Sequence, residues 1–160
     1  AVNQDEDEIN LIAVTRGKKQ MIVKKVEKEV EVEKDSVMTT DTKEVWVLTE
    51  GDNETDVNEE EMEKFLKAVT SIRAQEVVDN ISNTLSDMDK PRKYGTRQPS
   101  RYLVFRDGQG SQMNVIFGKQ YEEDKGYYLY VQYDNLVYKV SKTVHDNIFE
   151  WIETLPQHTQ

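Results

Sequence analysis

The sequence predicts an α+β fold built from two related β-β-β-α units sharing one core. The units span 9–78 and 100–156, are joined by 79–99, and form a single domain over residues 1–160. Antiparallel sheets with amphipathic helices packed on them are the expected architecture. Three observations predict it. A hairpin pattern recurs after about ninety residues, and a self-similar pattern of this kind is read before anything else. Each copy leads into a third strand and then an apolar stripe of helical period. Finally, 36% apolar residues and fourteen aromatics (2 Trp, 8 Tyr, 4 Phe) supply one core more comfortably than two small ones.

The elements follow in order. Leu11-Ile12-Ala13-Val14-Thr15-Arg16-Gly17, then Gln20-Met21-Ile22-Val23, reads as strand, glycine turn, strand. In Lys24 to Lys34, Val30 and Val32 alternate with Glu, as on one side of a long charged edge hairpin. Val26, Val30 and Glu33 also fit a helix. Trp46-Val47-Leu48-Thr49 makes the third strand. Met62, Phe65, Leu66, Val69 and Ile72 fall on one helical face, and Asn58 with Glu61 has the form of a capping box. In the joint, Ile81, Leu85 and Met88 share a face of a short helix. Pro91 and Pro99 bracket Tyr94-Gly95, each pushing its predecessor toward extended backbone.

The second hairpin is Tyr102-Leu103-Val104-Phe105-Arg106-Asp107-Gly108 with Gln112-Met113-Asn114-Val115. Additional strand content lies near Tyr127 to Tyr133. Alternation there sends Tyr127, Leu129, Val131 and Tyr133 to one face, and Tyr128, Tyr130 and Gln132 to the other. Tyr138-Lys139-Val140-Ser141 lines up with Trp46 to Thr49. The last helix carries Val144, Ile148, Trp151, Ile152 and Leu155, with Thr143 as its cap and Pro156 as its stop.

Charge narrows the function classes. Net charge is −10, with 31 acidic residues against 21 Lys and Arg. The mean hydropathy is −0.79. This balance argues against a general nucleic-acid binder and against an anionic-membrane binder, leaving a membrane only through an anchor outside these residues. The absence of cysteine removes disulfides, thiol catalysis and cysteine metal sites. No run approaches the roughly 20 apolar residues of a membrane span, and no signal peptide is present. His145 and His158 have no nucleophile-and-base setting, and no phosphate-cradling glycine motif or H-E-x-x-H occurs. No catalytic residue, metal ligand or cofactor is assigned.

Three stretches invite a functional reading. Asp52, Glu54, Asp56, Asn58, Glu60 and Glu63 mimic the oxygen spacing of a calcium loop, but Val57 stands where the sharp turn wants Gly. A solvated acidic loop is the better reading. From Lys90 to Arg106 the charge inverts: Lys90, Arg92, Lys93, Arg97, Arg101 and Arg106 occur with no acid among them. That run is either a patch for an acidic partner, Arg offering a bidentate fork, or a segment lying across the protein's own acidic surface. Tyr128 and Tyr130 are either exposed recognition residues or part of a second packing layer. The candidate partner-binding residues are Tyr94, Arg97, Arg101, Tyr128 and Tyr130.

The order Trp46, Tyr94-Gly95 with Pro99, Phe117-Gly118, Tyr127-Tyr128 and Val137-Tyr138 resembles a bacterial family, domain of unknown function 4340. Coverage runs from about Ile9 to Ser141. The chain departs from that pattern at Thr96, where the family has Leu, and in the charged stretch from Lys24 to Thr40. The resemblance implies an extracytoplasmic domain behind an N-terminal membrane anchor, some members standing beside transporter components. It implies no catalytic residue. The acidic opening Ala1 to Glu8, without Met, then reads as a stalk left after an anchor is removed. The expected function is a non-enzymatic interaction or accessory domain that binds a partner protein or an envelope polymer. A calcium- or small-ligand-binding sensor is the alternative.

Overall fold

The computed structural model describes residues 2–3, 5–81, 88–96, 101–132 and 134–154. In chain order the strands are β1 Val2–Asn3, β2 Ile9–Arg16, β3 Lys19–Lys34, β4 Val37–Glu50 and β5 Asn53–Asp56. Helix α1, Glu59–Thr70, follows, then β6 Ser71–Ile72, β7 Glu76–Asn80 and the short α2, Lys90–Tyr94. Strands β8 Arg101–Asp107, β9 Gln112–Glu122, β10 Gly126–Val131 and β11 Leu136–Ser141 lead into α3, Lys142–Thr154.

The two expected β-β-β-α units are not what forms. Among the described residues, nine strands join in one antiparallel sheet, ordered β5-β4-β3-β2-β8-β9-β10-β11-β7, and the structure is predominantly β rather than α+β with an internal repeat. The reason lies in two pairings that local pattern does not encode. β2 pairs directly with β8, Ile12 opposite Phe105 and Val14 opposite Leu103, so the hairpins merge edge to edge. The aligned third strands also take unlike places: β4 lies next to β3, whereas β11 lies beyond β10. A two-stranded β1–β6 pair stands apart from this sheet.

One face of the sheet carries the core. Ile12, Val14, Met21, Val23, Leu48, Leu103, Phe105, Val115, Phe117, Leu129 and Val131 pack there against α1 and α3. On α1, Met62, Phe65, Leu66 and Val69 are all buried, as is Ile72 just beyond it. Asn58 caps α1, its Oδ1 accepting from the backbone N–H of Glu60 and of Glu61. The cap of α3 is Ser141, whose Oγ accepts from the Val144 N–H, and not Thr143. Of the predicted α3 stripe, Ile148 is buried and Val144 packs against the core; Trp151, Ile152 and Leu155 lie outside the described side chains, as do Leu85 and Pro156. Pro91 does not break the backbone. It sits in the first turn of α2, where a missing N–H costs nothing.

Candidate functional site

Tyr94, Tyr128 and Tyr130 meet on the sheet face opposite α1 and α3. Two glycines allow it. A Cβ on Gly118 would stand 2.0 Å from the Tyr94 carbonyl oxygen, and one on Gly95 would stand 2.7 Å from the Lys119 nitrogen. α2 therefore ends flat on the backbone of β9. Gly95, at φ 75°, closes the helix in the left-handed conformation that glycine adopts without strain. This fixes the Tyr94 ring edge-to-face with Tyr128, centroids 4.8 Å apart.

Polar partners hold the rest. The Tyr94 hydroxyl donates to Asp79 Oδ2 at 2.5 Å, and Lys90 Nζ donates to Asp79 Oδ1 at 2.9 Å. The hydrogen bonds from Tyr94 and Lys90 hold the Asp79 carboxyl below its ordinary range. Burial, then the facing Asp79, pushes the Tyr94 hydroxyl up to about 12. Tyr121 joins the group at 6.0 Å from Tyr128, and Lys139 stands 5.0 Å above the Tyr121 ring. Lys139 also pairs with Glu76 at 2.8 Å. Tyr130 donates to Asn135 Oδ1, and burial raises its hydroxyl. Ile81, Tyr94 and Val137 are buried beneath this patch, with Val78, Tyr128 and Tyr130 half-buried against them. The second packing layer is thus present, and its upper surface is tyrosine; the exposed Lys93 stands 5.3 Å from the Tyr94 ring centroid, with exposed Arg92 next to it on α2.

Arg101 stands elsewhere. It alternates with Leu103 and Phe105 on β8 and therefore faces the helices, not the tyrosines. Its guanidinium lies 4.9 Å above the Tyr127 ring, and Nη1 donates to His145 Nε2 at 2.9 Å. Because Arg only donates, Nε2 is the acceptor, and Nδ1–H donates to Asp146 Oδ1 at 2.9 Å. His145 is buried and stacks on Tyr127 at 3.8 Å. Burial lowers its pKa, with Arg101 and Arg16 adding to the effect against the pull of Asp146. Arg97 and Tyr133 lie outside the described residues.

The calcium spacing does not close into a site. β5 sends Glu54 and Asp56 to one face and Asn53 and Thr55 to the other. Asp56 takes an ion pair from Lys28, and the Asn58 carboxamide oxygen is committed to capping α1. Among the described residues, no group of three or more acidic or His side chains is placed to hold a metal ion.

Pattern reading missed Asp79, Tyr121 and Lys139, and it missed the burial of His145. Tyr121 reaches the patch only through irregular register between β9 and β10. His145 carried a signal, since it shares a helix face with Phe149 four residues on. No family model matches the chain, and neither does any curated protein or solved structure. Among the described residues, no helix is long and apolar enough to cross a membrane.

Proposed function

We propose that the chain is a non-enzymatic interaction domain that docks an acidic partner protein on the tyrosine patch formed by Tyr121, Tyr128 and Tyr130, with the buried Tyr94 holding it from beneath. The observation that carries this reading is the pairing of an interlocked aromatic surface with exposed Arg92 and Lys93, on a face that neither long helix covers. Tyr and Arg are the residues that most often anchor protein interfaces, because they bury much area with few rotors and keep a polar end. The cations select an acidic surface, and they do so locally in a chain that repels polyanions overall. Arg101 is engaged with His145 on the opposite face and belongs to the framework rather than to the docking surface. The likeness to the bacterial family adds the setting: an extracytoplasmic domain on a membrane anchor, with a component of a transporter complex as a partner.

The test is a photoreactive residue placed at Lys93, used to crosslink the partner in the native cell. The purified partner is then titrated against the wild-type chain, R92E/K93E and Y128A. Loss of binding in both variants, with unchanged circular dichroism, supports the reading. A partner that both variants retain overturns it.

A further inference from the structure

We propose a second contact surface, the outer ribbon of β3 and β4, which lays a valine–lysine face on an anionic lipid bilayer. The two strands stay paired from Ile22 opposite Thr49 to Lys34 opposite Val37. β2 accompanies β3 only as far as Lys24, and β5 reaches β4 only from Val47 onward. The remaining ten residues of each strand project as a two-stranded ribbon about 33 Å long. A two-residue turn closes it, Asp35 and Ser36 both at positive φ (52° and 65°).

Strand alternation gives the ribbon two unlike faces. Glu27, Glu29, Glu31, Glu33 and Glu44 point to the side that carries the helices. Val26, Val30, Val32, Val37 and Val45 point to the other, with Lys28, Lys34 and Lys43 among them, Lys24 at the base of the ribbon, and Asp41 and Asp56 as the acids of this face. Val37 is 59% exposed, and the other four valines are half-buried. A lone two-stranded ribbon is marginal in water, so a surface that covers the valines stabilises the ribbon as well as binding it.

Residue chemistry decides the occupant. The cations on this face of the ribbon are all Lys and its apolar residues are all Val. There is no Arg fork and no aromatic anchor, the groups that a shaped protein surface calls for. Lysine stems instead lie along apolar surface and lift their ammonium groups to phosphates, which suits a fluid anionic plane. The net charge of −10 does not forbid this. The glutamates lie across the sheet, and ionic strength screens charge beyond about 8 Å. Lys28 is partly neutralised by Asp56 and Lys43 faces Glu59 at 4.0 Å, so Lys24 and Lys34 are the cations to test.

The experiment is flotation of the intact chain at physiological salt with vesicles of equal phosphatidylglycerol and phosphatidylcholine, and with phosphatidylcholine alone. The chain is expected to float with the anionic vesicles only. K24E/K34E is expected to lower the bound fraction about tenfold. V30S/V32S is expected to lower it similarly, while E29Q/E31Q and Y128A float like the wild type. Three results overturn the proposal: no flotation, equal flotation with neutral vesicles, or retention by K24E/K34E. A concentration-dependent dimer that V30S/V32S dissolves, with no flotation, also overturns it by making a second copy the occupant. Y128A keeps this outcome separable from that of the tyrosine patch.

Discussion

His145 ties α3 to the sheet through its charge state. In the neutral form its Nε2 receives Arg101 and its Nδ1–H serves Asp146, so both ring nitrogens are used. Protonation removes the acceptor and places a third cation near Arg101 and Arg16. The folded-state pKa therefore lies below the ordinary 6.5, with burial as the largest cause. In the unfolded chain the ring titrates at its ordinary value and takes up protons first as pH falls. The contribution of His145 is thus fully present above pH 6.5 and is lost as pH falls through the folded value. Asp146, which burial raises but Lys142 and His145 together bring below 3.8, loses its contribution only in more acid solution. Urea midpoints measured from neutral pH down to the acid side of 6.5 are expected to fall in the wild type. They are expected to fall less in H145Q, which keeps a polar side chain but does not titrate. Equal slopes in the two proteins refute the assignment.

The ribbon shows what an element adds beyond its residues. Glu27 lies directly opposite Glu44, and Lys28 directly opposite Lys43, two like-charge pairs in a segment with no third strand. Such pairs weaken a ladder. E27K turns one of them into an attraction and is expected to stabilise the ribbon by about 0.5 kcal/mol. The readout is hydrogen exchange of the ribbon amides rather than global unfolding, because local opening dominates there. Slower exchange from Val26 to Val30 is the expected result, and unchanged or faster exchange contradicts it. Elements of this kind were legible in the sequence where local chemistry decides them. The cap of α1 and its stripe from Met62 to Val69 stand in the structure as their spacing implies, while Ile72 falls past the helix end in β6; the Gly17 turn joins the strands it separates. Pairing between distant strands was not legible, since β2 against β8 is fixed by the shared core and not by either segment alone. The site was readable in part. Tyr128 and Tyr130 follow from alternation, whereas their meeting with Tyr94 depends on the Gly118 contact. The facing of Arg101 was within reach, because Arg101, Leu103 and Phe105 alternate in the sequence itself.

For the molecule as a whole, the nine-stranded sheet makes the two halves of the chain depend on each other. β2 and β8 meet at its centre, so Ile12 and Val14 are covered only when Leu103 and Phe105 are in place. At the far edge the link runs the other way. β7, which precedes the joint, pairs with β11, Asp79 opposite Val137, and its Asp79 anchors Tyr94. Neither half can therefore complete its strand pairing alone, and unfolding is expected to be a single transition. The residues supply two separate reporters. All eight tyrosines lie between Tyr94 and Tyr138, and with W151F the remaining tryptophan is Trp46 in the first half. Tyrosine near-ultraviolet circular dichroism and Trp46 fluorescence are expected to give the same urea midpoint. Separate midpoints would mean that one half unfolds while the other stays folded, which requires the β2–β8 seam to open between them. The seam is unsuited to that, since Ile12 and Leu103 at its centre are fully buried and opening it would expose both to water.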